Sequence, residues 1–295
     1  MAHVSLDELN KADKTAFVTA LGDVFEYAPW VAESVAARRP FANLASLYDA
    51  MTKAVQGAAP EKQIALIKGH PDLAVKAARA GSLTSDSKAE QASAGLDRLS
   101  NDEFDTFHRL NDSYRSKFAM PFIVCVRRHS KDSILHQFEM RLKNDAATEQ
   151  KTALAEILRI AALRLDQRVT APDRLKVNGH LSTHVLDTHG GGPAAGVAIE
   201  LFEVANSGES SLIAGALTNA DGRTEKPLIG DRPVPIGCYE LRFAMGDYFS
   251  RVKSPQADPP FLGIVPVRFS VAEPEGHYHV PLLATPWSYT SYRGS

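Results

Sequence analysis

The 295-residue chain predicts a protein of two domains, all-α in its first half and all-β in its second. Three observations carry this. Helical periodicity runs without strand alternation to about residue 169, and from about residue 181 the apolar period changes to two. Between them, residues 170–179 are polar, broken by Pro172 and without pattern, as a linker is. With 44% hydrophobic and 23% charged residues, the chain can build two cores of ordinary size.

In the first half, Asn10 and Asp13 are candidate caps ahead of Phe17, Val18, Ala20 and Leu21. Helical patterns follow over 46–56, 61–68, 88–99, 102–117, 131–143 and 147–168. In the last of these, Leu154, Ile157, Ile160, Ala161 and Leu165 form an apolar stripe, with Lys151, Glu156 and Arg159 away from it. Arg164 falls at the same angle as Ile157, Ile160 and Ala161. A buried cation is costly unless paired, so its guanidinium must meet carboxylates, carbonyls or an anionic ligand. Ser87 and Glu90, ahead of Ala92, Ala94 and Leu96, have the form of a capping box, and His70-Pro71 that of a helix start.

In the second half, residues 197–201, 238–245 and 265–271 alternate apolar with polar, and turn signals at 190–193, 221–222, 235–237 and 246–247 separate them. An antiparallel sandwich is the expected packing. His277 and His279 share one strand face and Tyr278 takes the other. His184, His277 and His279 raise a zinc site, against which no Asp or Glu stands at a ligand-like offset. The other reading is polar histidines on a solvated sheet face.

Bulk properties exclude several classes. A net charge of -2 without a basic stripe argues against nucleic acid. The strongest apolar run, 121–126, is far shorter than the ~20 residues of a membrane span. Cys125 and Cys238 stand far apart in unlike contexts and read as two reduced core thiols. The first ten residues carry acids where a secretory signal would be basic and then apolar, so a soluble, non-exported protein is expected.

Four separated motifs give the second half a specific character: Leu-Ser-Thr-His-Val-Leu-Asp at 181–187, Asp-Gly-Arg at 221–223, His-Tyr-His-Val-Pro-Leu-Leu at 277–283 and Tyr-Arg-Gly-Ser at 292–295. In type and order these resemble the transthyretin-like 5-hydroxyisourate hydrolases, across residues 180–295. The resemblance implies that His184, Arg223, His279 and Ser295 line a catalytic site, with His277 in the motif but without a role of its own. It also implies a chain terminus held at a tetramer interface. The chemistry suits these residue types. Water adds to a ring carbonyl, imidazoles of pKa about 6.5 can activate it, and a permanently charged guanidinium can stabilise the oxyanion. The thyroid-hormone carriers that share this fold lack the His/Arg/His set and the Tyr-Arg-Gly-Ser end.

The first half carries Ala-Pro-Trp-Val-Ala-Glu at 28–33, His-Pro-Asp-Leu-Ala at 70–74, Ser87 with Glu90-Gln91, Ala94-Gly95-Leu96, Asn111 to Tyr114, Phe118 with the run 121–126, and Leu163-Arg164-Leu165. Over about residues 5–168 this is similar to the all-helical 2-oxo-4-hydroxy-4-carboxy-5-ureidoimidazoline (OHCU) decarboxylases. The resemblance implies His70 as catalytic histidine and Pro71, Ser87, Glu90, Gln91 and Arg164 as substrate-holding residues. Backbone groups in 122–126, those of Phe122 and Ile123 among them, complete the pocket. Tyr27-Ala28 stands where the family often has His-Ser, and Ala119-Met120 where Gly-Phe is common. No metal or organic cofactor is needed, because the electrons left by departing CO2 delocalise onto a ring carbonyl.

Hydrolysis of 5-hydroxyisourate yields the substrate of the decarboxylation. The two resemblances therefore imply consecutive small-molecule reactions after urate oxidation, ending in (S)-allantoin, in a homo-oligomer with helical-domain dimer contacts and β-domain tetramers. The alternative is a single-activity enzyme or a binding protein in which one half serves only as an oligomerisation scaffold. Plant relatives of such a fusion carry an internal peroxisomal signal, Arg-Leu, five residues, His-Leu. Here only residues 176–179 separate Arg174-Leu175 from His180-Leu181, so the cytoplasm is the expected location.

Overall fold

In a computed structural model, which describes residues 3–74 and 84–294, the chain forms two compact units. One comprises Met1–Arg127 with Ile134–Val177, the other Arg128–Ser133 with Asn178–Ser295.

The first unit is helical. Its described helices are Leu6–Lys11, Lys14–Leu21, Trp30–Val35, Leu44–Gln56, Pro60–Lys68, Ser85–Ser93, Asn101–Phe118, Lys131–Arg141 and Ala146–Arg168. Phe17, Val31, Leu47, Met51, Phe107, Phe138 and Ile157 meet in one buried core. Asp13 caps its helix by accepting from Ala16 N at 2.8 Å. Asn10 caps nothing: it lies inside Leu6–Lys11, and its carboxamide bonds both the N–H and the C=O of Phe41. One two-residue ladder, β1 (Val4–Ser5) with β2 (Val169–Thr170), interrupts the helical pattern and is too short for alternation to announce it.

Two helix ends differ from expectation. Thr84, not Ser87, is the N-cap of Ser85–Ser93, so Ser87 lies in the first turn with its hydroxyl free of capping. That helix stops at Ser93 instead of running to 99. Gly95 adopts φ +70°, and Leu96 N–H reaches back to the Gln91 carbonyl at 3.1 Å, a closure that ends a helix. His70 follows the C-cap Gly69 of Pro60–Lys68, so it marks a helix end and not a start. The patternless stretch after 170 is also tied down. Asp173 accepts from Leu44 N and Ala45 N at the head of Leu44–Gln56, and Asp166 accepts from Leu175 N at 2.9 Å and from Arg174.

The second unit is a sandwich. One sheet is antiparallel in the order β7 (Ser210–Leu217), β6 (Ala198–Val204), β8 (Gly237–Ala244), β9 (Ile264–Val271). The other runs β12 (Tyr289–Ser291), β11 (Leu282–Ala284), β4 (Val185–Asp187), β5 (Gly192–Pro193). Beside it, β3 (His180–Ser182) pairs with β10 (His277–His279). The sandwich is not wholly antiparallel, because the chain returns at 277–284 alongside β3 and β4 in their own direction. Leu181, Val185, Ile199, Leu201, Leu241, Phe243, Val265 and Leu282 fill the space between the sheets, one face of each strand. The alternation read through residue 245 ends one residue earlier, where Met245–Arg251 forms a helix.

Candidate active sites

In the helical unit, the end of one helix, the start of another and the extended run after Phe118 converge on a pocket. His70, Pro71, Leu73, Ser87, Glu90, Gln91, Phe122, Ile123 and Arg164 are among the residues lining it. The site residues that the resemblance implied for this half are therefore brought to one place. His70 Nδ1 lies 2.9 Å from the Leu66 carbonyl oxygen. A carbonyl can only accept, so Nδ1 carries the proton and Nε2 keeps its lone pair. Burial pushes the His70 pKa down to about 4, more than the Leu66 carbonyl and Glu26 can offset, so the ring is neutral at neutral pH.

Arg164, on the inward face of Ala146–Arg168, answers the question its sequence position posed. Its Nε and Nη2 bond the two oxygens of Glu90 at 2.7 and 2.8 Å, its Nη1 bonds Glu26 at 2.7 Å, and Nη2 also reaches Ser87 Oγ at 3.3 Å. Burial pushes the Glu90 carboxyl above its ordinary range, against the pull of Arg164. Glu26 is the residue that sequence reasoning missed. It follows Phe25 in a turn-rich stretch without periodicity, so nothing in its neighbours marked it as buried.

A further set of contacts fixes the pocket walls. Gln91 accepts from Ala74 N at 3.1 Å, and Asn111 Nδ2 donates to the Leu73 carbonyl at 2.8 Å. Arg115 grips both oxygens of Asp72. On the opposite wall, Arg141 donates to the Ile123 carbonyl at 2.6 Å and stacks 4.5 Å over the Phe122 ring. Its charge is met by the fully buried Glu149, which also takes the Tyr114 hydroxyl and Asn144. Glu156, placed by the sequence off the apolar stripe, is buried as well and accepts the Cys125 N–H at 2.7 Å.

In the β unit a second pocket is lined by His180, Ser182, Thr183, Arg223, Lys226, His277 and His279, among others. The Asp-Gly-Arg turn sets Arg223. Asn219 Oδ1 accepts from Asp221 N and Arg223 N, and Gly222 takes φ +72° with its carbonyl on Val185 N. Only glycine fits there, since a Cβ would stand 2.3 Å from the Val185 oxygen. The turn thereby bridges Arg223 to His184 in backbone register. His279 Nδ1 and Ser182 Oγ are in hydrogen-bond contact at 3.0 Å. Burial, then the charges of Arg223, His184, His277 and His180, hold the His279 pKa below the ordinary histidine range.

His184 is not among the residues lining the pocket, but its backbone bridge to Arg223 and its electrostatic influence on His279 put it at the same spot. His180, which the sequence did not single out as a site residue, packs edge-on against His277 with ring centroids 4.7 Å apart. Parallel pairing of β3 with β10 produces that neighbour, and no local pattern could. Gly294 N–H donates to the His279 carbonyl at 2.8 Å, so Gly294 lies beside the site. Ser295 lies outside the described residues. Among the described residues no group of three or more His, Cys, Asp or Glu is placed to hold a metal ion, and no helix is long and apolar enough to cross a membrane.

Comparison with known proteins finds two families in the chain. Residues 10–166 match the OHCU decarboxylase family and residues 181–294 the HIUase/Transthyretin family. A 2-oxo-4-hydroxy-4-carboxy-5-ureidoimidazoline decarboxylase of Haloferax volcanii is 41% identical over 171 residues, 58% of this chain and 99% of that protein. A 5-hydroxyisourate hydrolase of Halalkalibacterium halodurans is 50% identical over 119 residues, 40% of this chain and 100% of that protein. The crystal structure of an (S)-allantoin synthase covers 99% of this chain and 100% of its own, at 30% identity and a TM-score of 0.52.

Proposed function

Because the chain belongs to the OHCU decarboxylase family in its first half and to the HIUase/Transthyretin family in its second, we propose that it is a bifunctional enzyme of urate degradation. The β unit hydrolyses 5-hydroxyisourate to OHCU, and the helical unit decarboxylates OHCU to (S)-allantoin. The observation that carries this is the presence of both families end to end in one chain, since the product of one reaction is the substrate of the other.

In the β unit His184 and His279 activate water, and Arg223 stabilises the oxyanion formed as it adds to the ring carbonyl. The low His279 pKa supports the role of base, because the ring stays neutral below the usual range. In the helical unit His70 Nε2 takes the substrate's hydroxyl proton. The bond to the carboxylate breaks, CO2 leaves, the electron pair moves into the conjugated ring, and a proton returns to ring carbon. Ser87, Glu90, Gln91 and Arg164 hold the ureido and ring edges, with Pro71, Phe122 and Ile123 shaping the walls. The exposed Trp287, Tyr289 and Tyr292 around β12 and Leu212 and Leu217 on β7 support a homo-oligomer built through the β unit. Tetramers through that unit, dimer contacts through the helical one and a cytoplasmic location complete the proposal.

Two outcomes test the hydrolytic half. A Cβ on Gly294 would stand 2.7 Å from His279 Cδ2 and 3.3 Å from its Cβ, neither of which can yield without moving the ring. Gly294→Ala should therefore slow 5-hydroxyisourate consumption by about 10–100-fold, the scale of a misplaced catalytic group, and leave OHCU consumption unchanged. Loss of both activities together, or of neither, would contradict this. The pH profile gives the second outcome. If neutral His279 is the base, the acid limb of hydrolysis falls below pH ~6.5; a limb at or above that value would remove His279 from the role.

A further inference from the structure

Arg164 is held between two carboxylates that differ in what else they can do. Glu26 is closed to substrate. Its side chain is 1% exposed, one oxygen takes Arg164 Nη1 and the other the Thr84 hydroxyl, each at 2.7 Å, and it does not line the pocket. Glu90 does line the pocket, and its side chain is 16% exposed. With His70 neutral, Arg164's single positive charge is thus met by two acids. It is not a free cation waiting for an anionic substrate. Glu26 also borders the catalytic histidine's own loop. A Cβ on Gly69, the residue before His70, would lie 3.8 Å from the Glu26 carbonyl oxygen, and the Glu26 charge acts directly on the imidazole. The other groups bearing on that ring are the Leu66 carbonyl and Arg164, with Ser87 and Glu90 lining the same pocket.

We infer that Glu26 is a positioning residue for the decarboxylation. It anchors Arg164 on a carboxylate that never meets substrate, and it supplies the negative charge that stabilises the imidazolium formed when His70 takes the hydroxyl proton. Glu90 is then free to turn its lone pairs from Arg164 to the substrate's N–H groups, while the guanidinium stays in place. The inference rests on the decarboxylase reading of this pocket and adds a division of labour between its two acids.

The test compares Glu26→Gln, Glu90→Gln and wild type in the full chain, with OHCU generated in place from urate by urate oxidase and the chain's own hydrolytic unit. Glutamine preserves the shape of residue 26 and one acceptor oxygen but not the charge. Glu26→Gln should lower kcat for OHCU by about 10–100-fold, within the range of general-base contributions, with KM changed less than about 3-fold. Its acid limb should also move to lower pH, because the protonated imidazole has lost its counter-charge. Slower turnover with greater acid tolerance is a pairing that a loosened pocket would not give. Glu90→Gln should instead raise KM. An unchanged helical circular dichroism signal and urea midpoint in each variant report an intact helical unit, and unchanged 5-hydroxyisourate hydrolysis an intact β unit. If Glu26→Gln does not fold, Thr84→Val, which strips one partner from the same carboxylate, should shift kcat and the acid limb in the same directions by less. A wild-type kcat and acid limb in Glu26→Gln, or a KM rise matching that of Glu90→Gln, overturns the inference. Wild-type chain that leaves OHCU to its spontaneous decay would overturn the decarboxylase reading itself.

Discussion

His70→Ala should abolish stereospecific decarboxylation while leaving 5-hydroxyisourate hydrolysis intact. The variant removes the lone pair proposed to take the hydroxyl proton, and a general base is worth about 10²–10⁴ in rate, or roughly 3–5 kcal/mol of barrier. OHCU should accumulate behind an unimpaired hydrolytic step and decay by itself, so the allantoin formed loses its optical activity. Circular dichroism of the product checks this. Retention of a full (S)-allantoin signal would remove His70 from the mechanism. The same substitution should alter acid stability in a defined direction. Folded His70 has its pKa pushed down by burial to about 4, below the ~6.5 of an unfolded histidine. The unfolded chain therefore binds the proton first, and stability falls as pH drops from ~6.5 toward 4. Without the imidazole that part of the acid sensitivity disappears.

Arg141→Ala should be the most damaging single change to the helical unit. Arg141 is 4% exposed and Glu149 is completely buried, so the substitution leaves a buried carboxylate that keeps the Tyr114 hydroxyl and Asn144 but no cation among the described residues. Breaking one side of a buried pair costs about 3–5 kcal/mol, chiefly through the orphaned charge. The Ile123 carbonyl and the Phe122 ring also lose their cation, so the pocket wall opposite His70 should loosen and decarboxylation weaken before the unit unfolds. Urea denaturation followed on the helical signal measures the loss. Pairing Arg141→Met with Glu149→Leu should recover most of it, since apolar replacement of both partners removes the unpaired charge. A loss below about 1 kcal/mol for Arg141→Ala would show that the pair is not the support described here.

What the sequence disclosed, and what it hid, follows from which contacts are local. Helix Ala146–Arg168 was legible because its stripe repeats over many turns, and Arg164 stood out as a cation at the angle of that stripe. Glu149 and Glu156 were hidden on the same helix. Their burial depends on Arg141, Tyr114 and Cys125, supplied from elsewhere in the chain. The capping-box pattern at Ser87 misled for a related reason. Thr84, three residues earlier, caps the helix and also holds Glu26, which frees the Ser87 hydroxyl for Arg164. In the β unit the alternating strands could be read singly, but strand direction could not. Parallel pairing of β3 with β10 and of β4 with β11 decides that His180 meets His277 and that Ser182 meets His279. The motif residues His184, Arg223 and His279 were nonetheless identifiable, because the short runs that hold them resemble the motifs of the hydrolase family.

In the proposed mechanism each unit holds a working pocket whose imidazole and guanidinium groups suffice for its step. The most direct measurement adds chelator-treated full-length protein to freshly formed 5-hydroxyisourate and follows both intermediates by ¹³C NMR. 5-Hydroxyisourate and OHCU should both disappear faster than in buffer, leaving (S)-allantoin. Persistence of either intermediate for its spontaneous lifetime would contradict the mechanism.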